Sequence, residues 1–113
     1  MSNAIAVTAE TFETEVLQSP IPVLVDLYAD WCMPCKIMGK TLDALAPELE
    51  GRAKIVKISV EQEPELAGAF RVSSIPMLVL FRDGQVVDQA LGALPQTAIL
   101  EMIQKAIAAQ PVR

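Results

Sequence analysis

Two cysteines separated by two residues are the side chains of this sequence best suited to chemistry. Cys32 and Cys35 lie in the segment Asp30-Trp31-Cys32-Met33-Pro34-Cys35-Lys36. An apolar run precedes this segment and a stretch of helical periodicity follows it. A Cys-x-x-Cys pair at such a junction is typical of a redox-active dithiol. Our first hypothesis is therefore the reversible formation of a Cys32–Cys35 disulfide.

The start of the predicted helix explains why Cys32 would be reactive. Unpaired backbone amides and the positive end of the helix dipole stabilise a thiolate there, and Lys36 adds a positive charge. A thiolate stabilised in this way reacts readily near neutral pH. Cys35 follows one turn later, so its sulfur is within reach of Cys32. Pro34 suits the first turn, because its missing N–H removes no helical hydrogen bond.

Other interpretations of the two cysteines remain open on the residues alone. They could be inert core residues, or half of a metal or cluster site shared between two chains. A purely structural disulfide is a weaker alternative, because closing so short a loop constrains the unfolded chain little. The sequence has two cysteines and no histidine. One chain therefore cannot supply four thiolates to zinc or iron–sulfur, and histidine-dependent nucleophilic catalysis is excluded.

Length and charge limit the remaining classes of protein. The 113 residues predict a single domain over 1–113. Nine basic and 14 acidic residues give a net charge of −5, which argues against binding to nucleic acid or to anionic membranes. The apolar runs are shorter than the ~20 residues of a membrane span, and no secretory signal is visible. We expect a cytoplasmic monomer without a bound metal.

The neighbouring sequence predicts the elements that hold the cysteines in place. Val23–Tyr28 is a nearly continuous apolar run, as in a strand buried on both faces. A helix is predicted from about Pro34, because apolar residues recur at helical spacing at Met38, Leu42, Leu45 and Leu49. Gly39 weakens this helix by about 1 kcal/mol relative to alanine. Pro47 is expected to kink or end it.

The rest of the chain predicts alternating strands and helices. Further strands are predicted over 4–7 and 53–60, and helices over 9–18 (capped by Thr8), within 61–70, and around Ile99, Ile103 and Ile107. Asp83-Gly84 predicts a hairpin, because its turn requires positive φ. The order β-α-β-α-β-α-β-β-α predicts an α/β fold. It is a mixed central sheet with right-handed crossovers and helices on both faces.

Asp26 is the single acid inside the apolar run 23–28. A carboxyl group that is desolvated in a strand has a raised pKa unless it is paired. Such a group can exchange a proton near neutral pH, which suits thiol chemistry. The alternative is an aspartate tolerated at the end of the strand and partly hydrated.

Several separated motifs resemble the thioredoxin family over nearly the whole chain. They are residues 25–36, residues 56–61, Ser74-Ile75-Pro76, Phe81-Arg82-Asp83-Gly84 and Gly92. The resemblance implies the thioredoxin fold and the activity of a protein dithiol–disulfide oxidoreductase, in the first place a general disulfide reductase. It also implies disulfide-containing client proteins. It implies no bound cofactor, with electrons supplied by an NADPH-dependent flavoprotein, thioredoxin reductase.

The resemblance also implies a role for each residue of the site. Cys32 attacks the client disulfide, Cys35 resolves the mixed disulfide, and Asp26 assists the deprotonation of Cys35. Lys57 interacts with Asp26, although a lysine there could equally extend to solvent. Pro76 follows a cis peptide bond and faces the cysteines. The residues alone would predict a trans bond, because few X–Pro bonds are cis.

The client surface implied by the resemblance is shallow and apolar. The backbone of Ile75 would pair with an extended client segment as an added strand. The surface comprises Trp31, Met33, Pro34, Ile75, Pro76, Gly92 and Ala93. Taken alone, Met33 could be a solvent-exposed spacer and Gly92 a strand bulge.

Some positions depart from the usual family pattern. Met33 replaces a common glycine, Tyr28 a second tryptophan, and Lys40 a helix-kinking proline, while Ser74 and Met77 alter the flanks of Pro76. None of these changes removes a catalytic group.

Two other functions stay open, namely a thiol oxidase or isomerase, and a redox-independent binding module or holdase.

Overall fold

Five strands form one mixed sheet in the computed structural model, which describes residues 4–108. The strands are β1 (Ile5–Ala6), β2 (Val23–Tyr28), β3 (Lys54–Ser59), β4 (Met77–Arg82) and β5 (Gln85–Leu91). Their order across the sheet is β1-β3-β2-β4-β5. β1 and β2 are parallel to β3, whereas β4 is antiparallel to both β2 and β5. This confirms the predicted mixed sheet.

Within residues 4–108, two α-helices and one π-helix connect the strands, and a third α-helix follows β5. They are α1 (Met33–Leu49), α2 (Pro64–Ala69), α3 (Gln96–Ala108) and the π-helix (Glu13–Leu17). α1 buries the apolar residues whose spacing predicted it. It continues past Pro47 to Leu49, so the helix does not end at Pro47. Gly51 then takes φ +83°, a conformation common just after a helix end.

The helix predicted over 9–18 is shorter than expected, and its predicted start and its cap at Thr8 are wrong. The helical segment is confined to Glu13–Leu17, and Phe12 precedes it without a side-chain cap. The amide of Thr8 donates to Oγ1 of Thr11 (3.0 Å), and the amide of Thr11 donates to the carbonyl of Thr8 (3.1 Å). Local bonds of this kind compete with helical ones, so the first residues form a turn.

Two apolar cores cover the faces of the sheet. α1 and α3 pack on one face, in a core that includes Leu24 of β2 and Leu78 of β4. The opposite core includes Val25 and Leu27 of β2. β2 is therefore buried on both sides, as its apolar run predicted, and its carboxyl end leads directly to the cysteines. Among the described residues, the structure contains no helix long and apolar enough to cross a membrane.

The hairpin between β4 and β5 forms as predicted. Asp83 and Gly84 both adopt positive φ, at 53° and 77°. A Cβ atom on Gly84 would lie 3.0 Å from the carbonyl oxygen of Leu17. Glycine is therefore favoured there by conformation and by space.

Candidate active site

Cys32 and Cys35 are joined by a disulfide at the amino terminus of α1. Their Cα atoms are 5.2 Å apart. Cys32 occupies the N-cap position, with extended backbone (φ −89°, ψ 111°), and its Sγ accepts a hydrogen bond from the amide of Cys35 at 3.2 Å. The amide of Lys36 donates to the carbonyl of Cys32 at 3.1 Å. The predicted placement of Cys32 where helix amides stabilise negative charge is confirmed.

The two cysteines are equally buried in the disulfide. Each residue is 4% exposed, so the disulfide form does not show the greater exposure that we expect of Cys32 in the attacking role. The N-cap geometry gives a reason, because it directs Sγ of Cys32 to the amide of Cys35. Ala29 completes this small cluster, and Tyr28, Val60 and Ile75 pack against it.

The segment around Pro76 meets the cysteine cluster from β4. The Ile75–Pro76 peptide bond is cis, as the family resemblance implied, so the trans bond expected from the residues alone is wrong. Pro76 is buried, and Ile75 packs against the disulfide. Gly92, at φ +83°, donates its amide to the carbonyl of Pro76 at 2.8 Å. Three motifs that are distant in sequence are thus assembled at one edge of the sheet.

Asp26 lies inside β2, on the face covered by α1. It is 4% exposed, and within the described part of the chain its Oδ1 has no hydrogen-bond partner. Burial raises the pKa of its carboxyl group from 3.8 to about 7, with Lys57 opposing the rise and Asp43 adding to it. The expected desolvation is confirmed, and the alternative position at the end of the strand is wrong, because Asp26 lies within β2.

A cavity of about 170 Å³ connects the buried acid with the disulfide and the surface. Asp26 and Lys57 are register partners on β2 and β3, so their side chains emerge on the same face. Nζ of Lys57 lies 5.8 Å from the ring centroid of Tyr28. The cavity is lined by Asp26, Tyr28, Ala29, Asp30, Cys35, Lys36, Gly39 and Lys57. It brings the acid, Cys35 and a cation together around one space.

The residues of the predicted client surface differ in exposure, since Ile75 and Gly92 are half-buried and Pro76 is buried. Trp31 and Met33 are 69% and 64% exposed. Pro34 is exposed in the first turn of α1, and Ala93 is exposed after β5 next to half-buried Gly92. Large apolar side chains left in solvent near a reactive group favour contact with another protein.

Two neighbours of the site were missed by the sequence predictions. Ile37 is 57% exposed on α1, and Val60 packs against the cysteines just after β3. Ile37 carried a readable signal, because it lies outside the spacing of the buried residues of α1. Val60 could be found only from the neighbouring positions of β2 and β3 in the sheet. No group of three or more metal-ligating side chains occurs within residues 4–108.

Comparison with known proteins agrees with this geometry. The thioredoxin family model matches residues 3–105. The chain is 42% identical over 105 residues to thioredoxin 1 of Nostoc sp., covering 93% of this chain and 98% of that protein. It is 43% identical over 107 residues to thioredoxin of Haemophilus influenzae, covering 95% and 100%.

A third relative shows the same extent of similarity. Thioredoxin 1 of Synechococcus elongatus is 43% identical over 105 residues, with coverage of 93% and 98%. The fold, the disulfide at the start of α1 and these matches over nearly the full length lead to one conclusion. The chain belongs to the thioredoxin family and is a protein disulfide oxidoreductase.

Proposed function

We propose that this chain acts, as a single domain over 1–113, as a general reductase of protein disulfides. The observation that carries the proposal is the position of the Cys32–Cys35 disulfide. It caps α1 at one end and adjoins the cavity of a buried acid at the other. A thiolate at Cys32 would be stabilised by the helix amides, and a proton acceptor would lie beside Cys35.

The proposed reaction proceeds by two thiol–disulfide exchanges. The Cys32 thiolate attacks a sulfur of the client disulfide, forms a mixed disulfide and releases one client thiolate. The Cys35 thiolate then attacks Sγ of Cys32, forms the Cys32–Cys35 disulfide and releases the second client thiolate. The client gains two electrons and the protein loses two.

Asp26 and Lys57 are proposed to manage the proton of Cys35. A carboxyl group with a pKa of about 7 can accept a proton from a thiol and return it to solvent near neutral pH. The cavity provides space for proton exchange with solvent, because Asp26, Cys35 and Lys57 all line it. Lys57 favours the ionised carboxylate by its charge.

The client is proposed to bind across two neighbouring parts of the surface, namely residues 31–34 and the segments around Ile75 and Gly92. Its backbone would pair with Ile75, and its side chains would contact the apolar group formed by Trp31, Met33, Pro34, Pro76, Gly92 and Ala93. Exposure of Trp31 and Met33 supports this arrangement. So does the hydrogen bond between Gly92 and Pro76, which fixes the two segments together.

The proposed partners are disulfide-containing client proteins and thioredoxin reductase, which would supply electrons from NADPH. The oxidoreductase needs no bound cofactor besides its own disulfide in this scheme. The charge of −5 favours protein clients over nucleic acid or anionic membranes. We propose a monomer working in the cytoplasm, where reductases keep thiols reduced.

The order of chemistry is tested by trapping. In Cys35→Ser the resolving thiol is absent while Cys32 remains, so covalent client adducts should accumulate and be released by dithiothreitol. Cys32→Ser is the matched control and should trap far fewer adducts, because Cys35 lacks the N-cap position that stabilises a thiolate at Cys32. Gel electrophoresis without reductant measures both. Equal trapping by the two variants would overturn the assignment of roles.

The rival functions give different results. Client binding without any adduct, in well-folded Cys35→Ser protein, would favour a redox-independent holdase. Equilibration of the wild-type dithiol with defined glutathione buffers separates reductase from oxidase. A potential well below that of glutathione supports the proposal, and one well above it supports a thiol oxidase or isomerase.

A further inference from the structure

The outward face of the first turns of α1 combines apolar and basic side chains. At about 100° per residue, its members fall within an arc of about 100°, on the side opposite the buried residues. We call it the amino-terminal face of α1, formed by the exposed residues Met33, Lys36, Ile37 and Lys40. Met33 and Ile37 form one row at i, i+4 spacing, and Lys36 and Lys40 form the adjacent row.

The apolar row is not explained by the core. Met33 and Ile37 are 64% and 57% exposed, and Trp31, which is 69% exposed, directly precedes the cap of the helix. The solvent side of an amphipathic helix is ordinarily polar. Adjacent large apolar residues in solvent indicate a surface that another molecule covers.

The basic row is not explained by helix stability either. Helix dipoles favour acids in the first turn and bases in the last, but α1 has no acid in its first turn and no base in its last. Lys36 lies near the positive end of the helix, where a cation is disfavoured, and Lys40 follows one turn later, whereas Glu48 lies in the last turn. Neither lysine takes part in the ion pairs of the described residues, which lie elsewhere in the fold. Asp30, which lines the cavity with Lys36, and Asp43 are the nearby acids.

We propose that the amino-terminal face of α1 is a docking surface for an acidic client segment that also carries an apolar residue. This inference rests on the proposed disulfide reduction and adds a preference among its clients. Asp or Glu of the client would pair with Lys36 and Lys40, and a Leu-like side chain would cover Met33 and Ile37. The face begins beside the disulfide, because Met33 directly follows Cys32.

The proposal opposes what the overall charge predicts. A net charge of −5 repels an acidic segment at long range and attracts a basic one. A preference for acidic clients would therefore come from the local arrangement of Lys36 and Lys40. Docking does not alter the redox stoichiometry, because the client disulfide still becomes a dithiol and the protein dithiol becomes a disulfide.

The test uses three synthetic cyclic peptides with one disulfide each. They share the ring and a flanking leucine, and differ in a tail of three acidic, three neutral amide or three basic residues. Reduced protein is mixed with each peptide in a single turnover, and the peptide dithiol is quantified by chromatography. At low salt the acidic peptide should react about three- to fivefold faster than the neutral one, and high salt should remove the advantage.

Two variants localise the effect, and a third controls for charge. Lys40→Glu should remove or reverse the acidic preference while leaving the neutral peptide within about twofold. Ile37→Ser should slow the leucine peptides but not versions with serine in place of leucine. Lys105→Glu makes the same change of charge on α3. It lies beside Ala106, whose carbonyl accepts from Arg82 at the far end of β4 from Pro76, and it should leave the preference intact.

The outcomes separate this inference from the reductase itself. Reduction of all three peptides without an acidic preference, or an equal effect of Lys105→Glu, would overturn the docking surface and leave the reductase standing. Failure to reduce any peptide would overturn both. A dimer in sedimentation that Ile37→Ser dissociates, with unchanged peptide rates, would show that a second copy covers this face instead.

Discussion

The two faces of β2 are equally buried and differently equipped. Val25 and Leu27, which are both fully buried, point into a core made of apolar residues. Asp26, between them in sequence, points to the other face and is 4% exposed. Alternation of side chains along a strand separates these environments by one residue. Burial by itself therefore does not determine which side chain a position of β2 accepts.

Packing distinguishes the two faces. On the face of Val25, three aromatic rings meet edge to face, with centroids 5.7 to 6.0 Å apart among Phe12, Phe70 and Phe81. On the face of Asp26, the apolar core gives way to a cavity of about 170 Å³ lined in part by Lys57. A buried carboxyl group is tolerated where it has space for exchange and a cation nearby.

The largest effect is expected from placing an acid on the face of Val25, where the core is apolar. Val25→Asp should destabilise the protein by about 5 kcal/mol or more at pH 8, because the carboxylate would have no cavity or lysine there. Denaturant unfolding at pH 8 and pH 4 measures this. Val25→Asn is the matched uncharged control, and its loss should depend little on pH. Equal stability of Val25→Asp and wild type would remove the contrast between the faces.

A smaller and opposite effect on stability is expected from removing the acid on the face of Asp26. The folded pKa of Asp26 is raised to about 7 from 3.8, so its contribution to stability is fully present below pH 4 and is lost as pH rises through 7. Asp26→Asn should therefore be more stable than wild type at pH 8, by up to roughly 4 kcal/mol. The two proteins should converge towards low pH.

Turnover separates the role of Asp26 from its burial. The asparagine variant should keep the fold but reduce disulfides more slowly near neutral pH, because it cannot accept the proton of Cys35. The test is the rate of client reduction between pH 6 and pH 9, compared with the unfolding data. Loss of stability with unchanged turnover would make Asp26 a structural residue.

The smallest effect concerns the glycine at the cavity. A Cβ atom on Gly39 or on Gly68 would meet nothing within 4 Å, so alanine at either position should stabilise its helix by up to about 1 kcal/mol. Gly39 lines the cavity and Gly68 lies on α2. Gly39→Ala alone should shift the pH profile of turnover towards higher pH, because it reduces the access of water to Asp26 and so raises its pKa further. Identical profiles for the two variants would show that Gly39 does not influence the acid.

Local sequence determined the parts of this protein that depend on local physics. The apolar run 23–28, the spacing of Met38 and Leu42, the positive φ at Asp83-Gly84 and the cap position of Cys32 were all readable, because each reflects interactions within a few residues. The desolvation of Asp26 followed from the same run. The predicted start of the helix over 9–18 was wrong, because Thr8 and Thr11 form hydrogen bonds with each other instead.

Only the tertiary structure decided how distant segments meet. The register that places Lys57 beside Asp26, the hydrogen bond between Gly92 and Pro76, and the cavity beside Cys35 all join residues far apart in the chain. The family resemblance anticipated some of these contacts, but no spacing along the sequence encodes them. Sheet register and packing arise from the whole core, and for that reason the surroundings of the two cysteines became visible only in the folded protein.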